Sequence, residues 1–300
     1  MNKLISMRDL RREDILELLS LAEKIETGQI KPRMDGMLAA LLFFEPSTRT
    51  FFSFETAVKR LGGATLTMAG TSGTSVSKGE SMHDTLTTID QYADLIVMRT
   101  TQEGAARYAS EVLRAPVINA GDGANQHPTQ AMLDLYSILK TQHTLEGLTV
   151  GLVGDLLLGR TVHSLAQALS DFKAKLIFAS PSHLRMPDYI KEDLAEKGIE
   201  FMEVAQIEPY IPELDILYVT RIQRERFADP DDYEKVKNSY IITPEMLRGA
   251  RPNFRVLHPL PRVNEIARGV DDTPYAYYFQ QARNGVYTRQ AIISKLLGLV

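Results

Sequence analysis

The sequence of 300 residues has no cysteine and no tryptophan. Without cysteine there is no disulfide framework, no thiolate zinc or iron–sulfur site and no Cys nucleophile. A reducing compartment is compatible with that composition. An excess of basic charge is also missing. The 34 Lys and Arg stand against 38 Asp and Glu, a formal net charge of −4. General polyanion binders are usually basic, so nucleic acid is not expected as a partner. Any anionic ligand has to be met by a local group of cations. Long apolar runs are lacking too. The longest, Met37 to Phe44 (MLAALLFF), is far shorter than the roughly 20 residues that cross a bilayer. The opening MNKLISMRDLRRED carries charges where a secretory signal needs an apolar stretch. The expectation is a soluble, cytoplasmic protein with no membrane partner.

What is present is an alternation of two periods. Strand-like runs fall at 37–44, 64–68, 95–98, 117–119, 149–153, 176–179, 199–204, 216–219 and 255–257. Helix-like stretches separate most of them. Ile15, Leu18, Leu19, Ala22 and Ile25 form one apolar face; Phe51, Phe54, Ala57, Val58 and Leu61 form another. Further helices are predicted at 82–91, 105–113, 129–140, 161–169, 189–197 and 244–248. This pattern predicts an α/β protein of two doubly wound domains, each a mainly parallel sheet with helices on both faces. At about 150 residues per domain, the length fits two. The expected division is 1–130, with a C-terminal helix over 285–300 docking back on it, and 131–284. Two stretches read as mobile loops, 70–79 and 221–233.

Several strand ends carry chemistry. In Phe44-Glu45-Pro46-Ser47-Thr48-Arg49-Thr50, hydroxyls and a planar cation enter a helix whose first N–H groups favour an anion. Arginine suits phosphate because it binds it bidentately. The plainer alternative is an ordinary helix cap with a surface arginine. Arg99 closes a strand, and ligands of open α/β sheets bind at strand carboxyl ends. Gly121-Asp122-Gly123-Ala124-Asn125-Gln126-His127-Pro128-Thr129-Gln130 leads from a strand into a helix. There His127 can donate to a polarised carbonyl, and Gln130 can read an amide. Gly151 to Thr161 has the wrong glycine spacing for a dinucleotide fingerprint and leaves Arg160 entering a helix. Arg221-Ile222-Gln223 follows a strand, where arginine suits carboxylates. In His258-Pro259-Leu260-Pro261-Arg262, two prolines stiffen a turn and leave carbonyls free to accept. His83, His143, His163 and His183 look isolated and structural, and no cluster has metal-ligand spacing.

Taken together, FFEPSTRT, KGES, MRTTQEGAAR, GDGANQHPTQ, GRTVHSL, TRIQRERF and HPLPRVNEI stand in the order found in the carbamoyltransferases. The sequence resembles that family over nearly its whole length. S-T-R-T and H-P-T-Q are similar to the family at large; R-x-Q and H-P-L-P resemble its aspartate-specific catalytic chains. The resemblance implies transfer of a carbamoyl group from carbamoyl phosphate to L-aspartate, early in pyrimidine synthesis. It implies that Ser47, Thr48, Arg49 and Thr50 hold phosphate and that Arg99, His127 and Thr50 polarise the carbonyl oxygen. Gln130 and the backbone around Pro259, Leu260 and Pro261 would hold the carbamoyl amide. Arg160, Arg221, Gln223 and Lys78 would grip the aspartate carboxylates. The loop of Lys78 would enter a neighbouring subunit's site, giving a homotrimer with shared sites. The resemblance calls for no cofactor and no metal. It admits regulatory chains or a dihydroorotase as further partners. The ornithine-specific relatives typically carry Cys where Leu260 stands and lack the R-x-Q pair. Two places depart from the family pattern: Leu157-Leu158 replace a common Lys-Tyr, and Thr100-Thr101 replace a more usual His-Pro. In the 70–79 loop, Thr74 and Ser75 both offer a hydroxyl for phosphate.

Overall fold

The structure is a computed structural model and describes residues 1–222, 229, 231, 233–234 and 239–300. Gln223 and most of the expected 221–233 loop lie outside the described residues. The chain divides into two compact units. One is Met1–Leu133 with Arg283–Val300; the other is Asp134–Ala282.

Each unit is built on one five-stranded, wholly parallel sheet flanked by helices. The first contains β1 (Lys3–Leu4), β2 (Leu38–Phe43), β3 (Ala64–Ala69), β4 (Leu95–Thr100) and β5 (Val117–Asp122), in the order β1-β5-β4-β2-β3. The second contains β6 (Thr149–Val153), β7 (Lys175–Ala179), β8 (Phe201–Val204), β9 (Ile216–Val219) and β10 (Arg255–Leu257), in the order β10-β9-β6-β7-β8. The central strands are continuous apolar runs because both their faces are covered. Leu95–Thr100 and Ile216–Val219 are buried at every residue. The edge strand β3 reads ATLTMA, and no residue of it is buried.

The helices that flank the sheets include α1 (Arg12–Glu26), α2 (Thr48–Arg60), α3 (Met82–Ile89), α4 (Ala105–Val112), α5 (Pro128–Gln142), α6 (Arg160–Ser170), α7 (Asp188–Glu196) and α8 (Tyr278–Leu296). Each unit has its own core. Ala40, Leu42, Leu86, Ile96 and Met98 belong to the first, and Val153, Ile177, Leu217, Phe254 and Val256 to the second.

Two expectations change, and one strand was not anticipated. Residues 244–248 form successive turns, with Leu247 N donating to Pro244 O and Arg248 N to Glu245 O. Five residues are too few to offset the cost of helix nucleation. The C-terminal helix begins at Tyr278, before 285, and stops at Leu296, before 300. Its end is set by Gly298 at φ +65°, which lets Leu299 N close back on Ser294 O. The two-residue strand Lys3–Leu4 was too short for any periodicity to reveal. Within the first unit, the end of α8 is held by Arg289, whose Nη1 donates to Ser53 Oγ at 2.9 Å and whose guanidinium lies over Phe54.

Asp90, closing α3, shows how a buried charge is made tolerable. Its carboxylate accepts from Arg114 N and Nε and from Ala115 N. Burial pushes its pKa up, but these donors outweigh that and hold it below the ordinary carboxylate range. The resulting stability is present above the unfolded carboxylate pKa and is lost as pH falls through the folded one. Asp90→Asn is expected to cost about 1–3 kcal/mol at neutral pH. The difference from the parent chain should shrink at acid pH, and urea unfolding at several pH values checks this.

Candidate active site

In an open parallel sheet, the strand order reverses beside the first strand of the winding. The crevice outside the carboxyl ends at that point is where ligands bind. In the first unit the reversal lies between β2 and β4, since β3 flanks β2 on the other side. Both strand ends carry predicted site residues. β2 runs into the turn Phe44–Ser47, and Phe44 N donates to Arg99 O at 2.8 Å, joining the turn to the end of β4. Ser47 caps α2 in extended conformation without a side-chain bond, and the first turn holds no acid. Ser47 is half-buried, Thr48 and Arg49 are exposed, and Thr50 is buried. Open N–H groups and no nearby acid in the first turn favour an anion here.

Arg99 is buried, and its guanidinium is positioned by Ala120 O at 3.2 Å and by Glu45 Oε2 at 3.1 Å. It therefore bridges the end of β5 to the turn after β2. Beyond β5, Asp122 is fully buried and organises the turn to His127. Its carboxylate accepts from Asn119 Nδ2 and Gln126 N on one oxygen, and from Gly104 N and Asn125 Nδ2 on the other. Gly123 sits at φ +56°, and a Cβ there would lie 2.9 Å from Thr101 O. The turn delivers His127, buried, to the head of α5, where its carbonyl accepts from Gln130 N at 3.0 Å. His127 and Gln130 are thus one turn apart. Lys78 is exposed on a short 3-10 turn, Ser75–Lys78, in a segment expected to be a loop. Thr74 Oγ1 donates to Thr71 O at 2.7 Å, while Ser75 is exposed.

In the second unit the reversal lies between β6 and β9. Gly154 follows β6 at φ +120°, and a Cβ there would fall 2.0 Å from Thr220 O. Only glycine lets the two strand ends approach this closely. Asp155, fully buried, accepts from Leu158 N at 2.9 Å and shapes the turn that brings buried Arg160 to the head of α6. Leu157 is exposed and Leu158 half-buried on that turn. Arg221, half-buried, follows Thr220 at the end of β9. After β10 comes the 258–261 turn, with Leu260 at φ +57° and a cis Leu260–Pro261 bond. Thus Arg160, Arg221, Leu260 and Pro261 all leave carboxyl ends of one sheet. Thr100, one of the departures from the family pattern, is buried, and its Oγ1 accepts from Gln102 N.

Glu45 and Asp122 were missed as site-shaping residues. Glu45 had a signal, being the one acid in a turn otherwise made of hydroxyls and a cation. Asp122 had another, a lone acid between two glycines. His83, read as isolated, pairs through Nδ1 with Tyr108 Oη at 2.8 Å. His163 is buried and structural, its Nε2 donating to Leu156 O at 2.8 Å. Among the described residues, no group of three His, Asp or Glu could hold a metal ion. Nor is any helix there long and apolar enough to cross a membrane.

Known proteins match this arrangement. Residues 2–140 fit the family model for the aspartate/ornithine carbamoyltransferase carbamoyl-P binding domain, and 146–296 fit that for the Asp/Orn binding domain. The aspartate carbamoyltransferase catalytic subunit of Parabacteroides distasonis is 55% identical over 297 residues, covering 99% of this chain and 97% of that relative. The crystal structure of the catalytic subunit of M. jannaschii aspartate transcarbamoylase superposes with a TM-score of 0.91 at 50% identity, covering 99% and 98% of the two chains. Aspartate transcarbamoylase from Trypanosoma cruzi, in complex with N-(phosphonacetyl)-L-aspartic acid, superposes at 0.90 with 37% identity and 97% and 95% coverage. With both family models matched and identity this high along its length, the chain belongs to the aspartate/ornithine carbamoyltransferase family.

Proposed function

We propose that this chain transfers the carbamoyl group of carbamoyl phosphate to the amine of L-aspartate, giving N-carbamoyl-L-aspartate and phosphate, early in pyrimidine synthesis. The observation that carries this reading is the placing of cations at the switch point of each sheet. Arg49 and Arg99 stand at one, and Arg160 and Arg221 at the other. Domain 1–130 with the C-terminal helix binds carbamoyl phosphate, and domain 131–284 binds aspartate. Ser47, Thr48, Arg49 and Thr50 bind the phosphate. Arg99, His127 and Thr50 polarise the carbonyl oxygen. Gln130 and the backbone carbonyls of the Pro259–Leu260–Pro261 turn take the amide. Arg160, Arg221 and Gln223, with Lys78, hold the two carboxylates.

The chemistry needs no cofactor, because the carbamoyl group arrives activated. The amine nitrogen attacks the carbonyl carbon, and negative charge grows on the oxygen that Arg99 and His127 face. The C–O bond to phosphate then breaks, and the departing phosphate takes the amine proton. Donors already aimed at the oxyanion lower the barrier without reorganising. Aspartate is preferred to ornithine because Arg221 attracts a carboxylate and repels ornithine's distal ammonium. The working form is a homotrimer in the cytoplasm, with Lys78 supplied by a neighbouring copy. Its exposure on the Ser75–Lys78 turn supports that role.

Incubating the purified chain with carbamoyl phosphate and L-aspartate should yield the ureido acid by mass spectrometry, with one phosphate per product. Phosphate release no faster than spontaneous hydrolysis would contradict the reading. Two further outcomes are expected. Mixed trimers of Arg49→Ala and Lys78→Ala chains should recover activity that neither parent has; no recovery with mixing confirmed would count against shared sites. Ser75→Ala should weaken carbamoyl phosphate use more than Thr74→Ala, because the Thr74 hydroxyl already donates to Thr71 O.

A further inference from the structure

The second unit contains a chain of buried polar side chains that the reaction does not directly use. Asp134, Tyr218, Gln281, His258 and Glu265 are each at most 5% exposed. Tyr218 Oη donates to Asp134 Oδ2 at 2.9 Å, and Gln281 Nε2 to Asp134 Oδ1 at 2.6 Å. Gln281 Oε1 in turn accepts from His258 N at 2.9 Å. The His258 ring then bonds on both sides. Nδ1 accepts from Leu260 N at 2.7 Å, which fixes the proton on Nε2, and Nε2 donates to Glu265 Oε1 at 2.7 Å. The other oxygen of Glu265 accepts from Val263 N and Asn264 N, both at 3.0 Å. Burial works to raise the pKa of Glu265, but His258 and the backbone N–H groups of Glu265 and Val263 outweigh it and hold the carboxyl below its usual range. Every one of these bonds lies within the second unit, and together they clamp the 258–265 segment at its start, its middle and its end.

The clamp acts on the backbone at Leu260, which adopts φ +57°, a left-handed conformation that L-residues enter only when their surroundings enforce it. A hydrogen bond from Leu260 N into the His258 ring orients the Pro259–Leu260 peptide plane, which carries the Pro259 carbonyl, and the chain leaves that plane at the Leu260 φ of +57° toward the Leu260 carbonyl.

We propose that His258, held by Gln281–Asp134 on its backbone and by Glu265 on its ring, is a positioning residue that aims these carbonyls at the carbamoyl amide. Affinity for the carbamoyl moiety is thereby set by side chains that do not touch it. This inference rests on the proposed role of the turn as amide acceptor.

Two polar variants separate the two ring contacts. His258→Asn keeps an acceptor within reach of Leu260 N, whereas His258→Gln keeps a donor toward Glu265 and loses that acceptor. The measurements are the KM for carbamoyl phosphate and the inhibition constant for inorganic phosphate, which lacks the amide. His258→Gln should weaken carbamoyl phosphate by about 10–100-fold, the scale of a misplaced contact. It should leave phosphate inhibition and the KM for aspartate within about threefold, whereas His258→Asn, which keeps the acceptor for Leu260 N and loses only the Glu265 contact, should weaken carbamoyl phosphate less than His258→Gln does. Equal effects of the two variants, or phosphate weakening in step with carbamoyl phosphate, would overturn the proposal, as would an unchanged KM in His258→Gln. If the parent enzyme makes no ureido product, it is the underlying reading that fails.

Discussion

An Arg49→Ala enzyme is expected to lose about 10²–10³-fold in kcat/KM for carbamoyl phosphate, the range typical of removing one preorganised donor from a developing charge. Arg49 is exposed in the first turn of α2. Stability should stay within about 0.5 kcal/mol of the parent, as for most surface positions. The loss should fall on kcat as well as KM, because charge on the leaving phosphate increases as the C–O bond breaks. Arg49→Lys should recover only part of it. A lysine brings the charge but not the planar fork that meets two phosphate oxygens together. Steady-state kinetics with carbamoyl phosphate varied at saturating aspartate, alongside urea unfolding, check both halves of the prediction.

The second large effect belongs to the other unit. Arg221→Ala should raise the KM for aspartate by roughly 30- to 150-fold, corresponding to about 2–3 kcal/mol for a charge-assisted contact. That is the lower part of the usual range, because Arg221 is half-buried and water can partly replace it. Carbamoyl phosphate KM should move by less than about threefold. Equal losses for both substrates would remove Arg221 from the acceptor site. Arg99→Ala makes an informative contrast. Arg99 is buried between Glu45 and Ala120 O, so truncating it also leaves a carboxylate and a carbonyl without their donor. A drop in stability should therefore accompany its loss of activity.

The sheets were legible because their strands are buried on both faces. A run such as Leu-Ile-Val-Met before Arg99 has no other role in a chain of this composition. The placing of the proposed site residues at strand ends was legible because glycine and proline mark those ends. Side-chain partners were not legible. Nothing in the sequence joins His258 to Leu260 N, or Asp134 to Tyr218 across 84 positions, until the backbone brings them together. Glu45 was hidden for a related reason. An acid inside a turn proposed to bind an anion contradicts local charge logic until Arg99 is seen to pair with it. Short elements failed as well, since neither the two residues of β1 nor the turns at 244–248 extend through a full period.

The central claim is that cations at the carboxyl edges of the two sheets select two anionic substrates. The most direct test supplies carbamoyl phosphate with L-aspartate, L-ornithine or putrescine in parallel, and measures phosphate release and the ureido product for each. Rapid turnover with aspartate and none above spontaneous hydrolysis with the two amines is the predicted result. Equal or faster carbamoylation of ornithine or putrescine would contradict it.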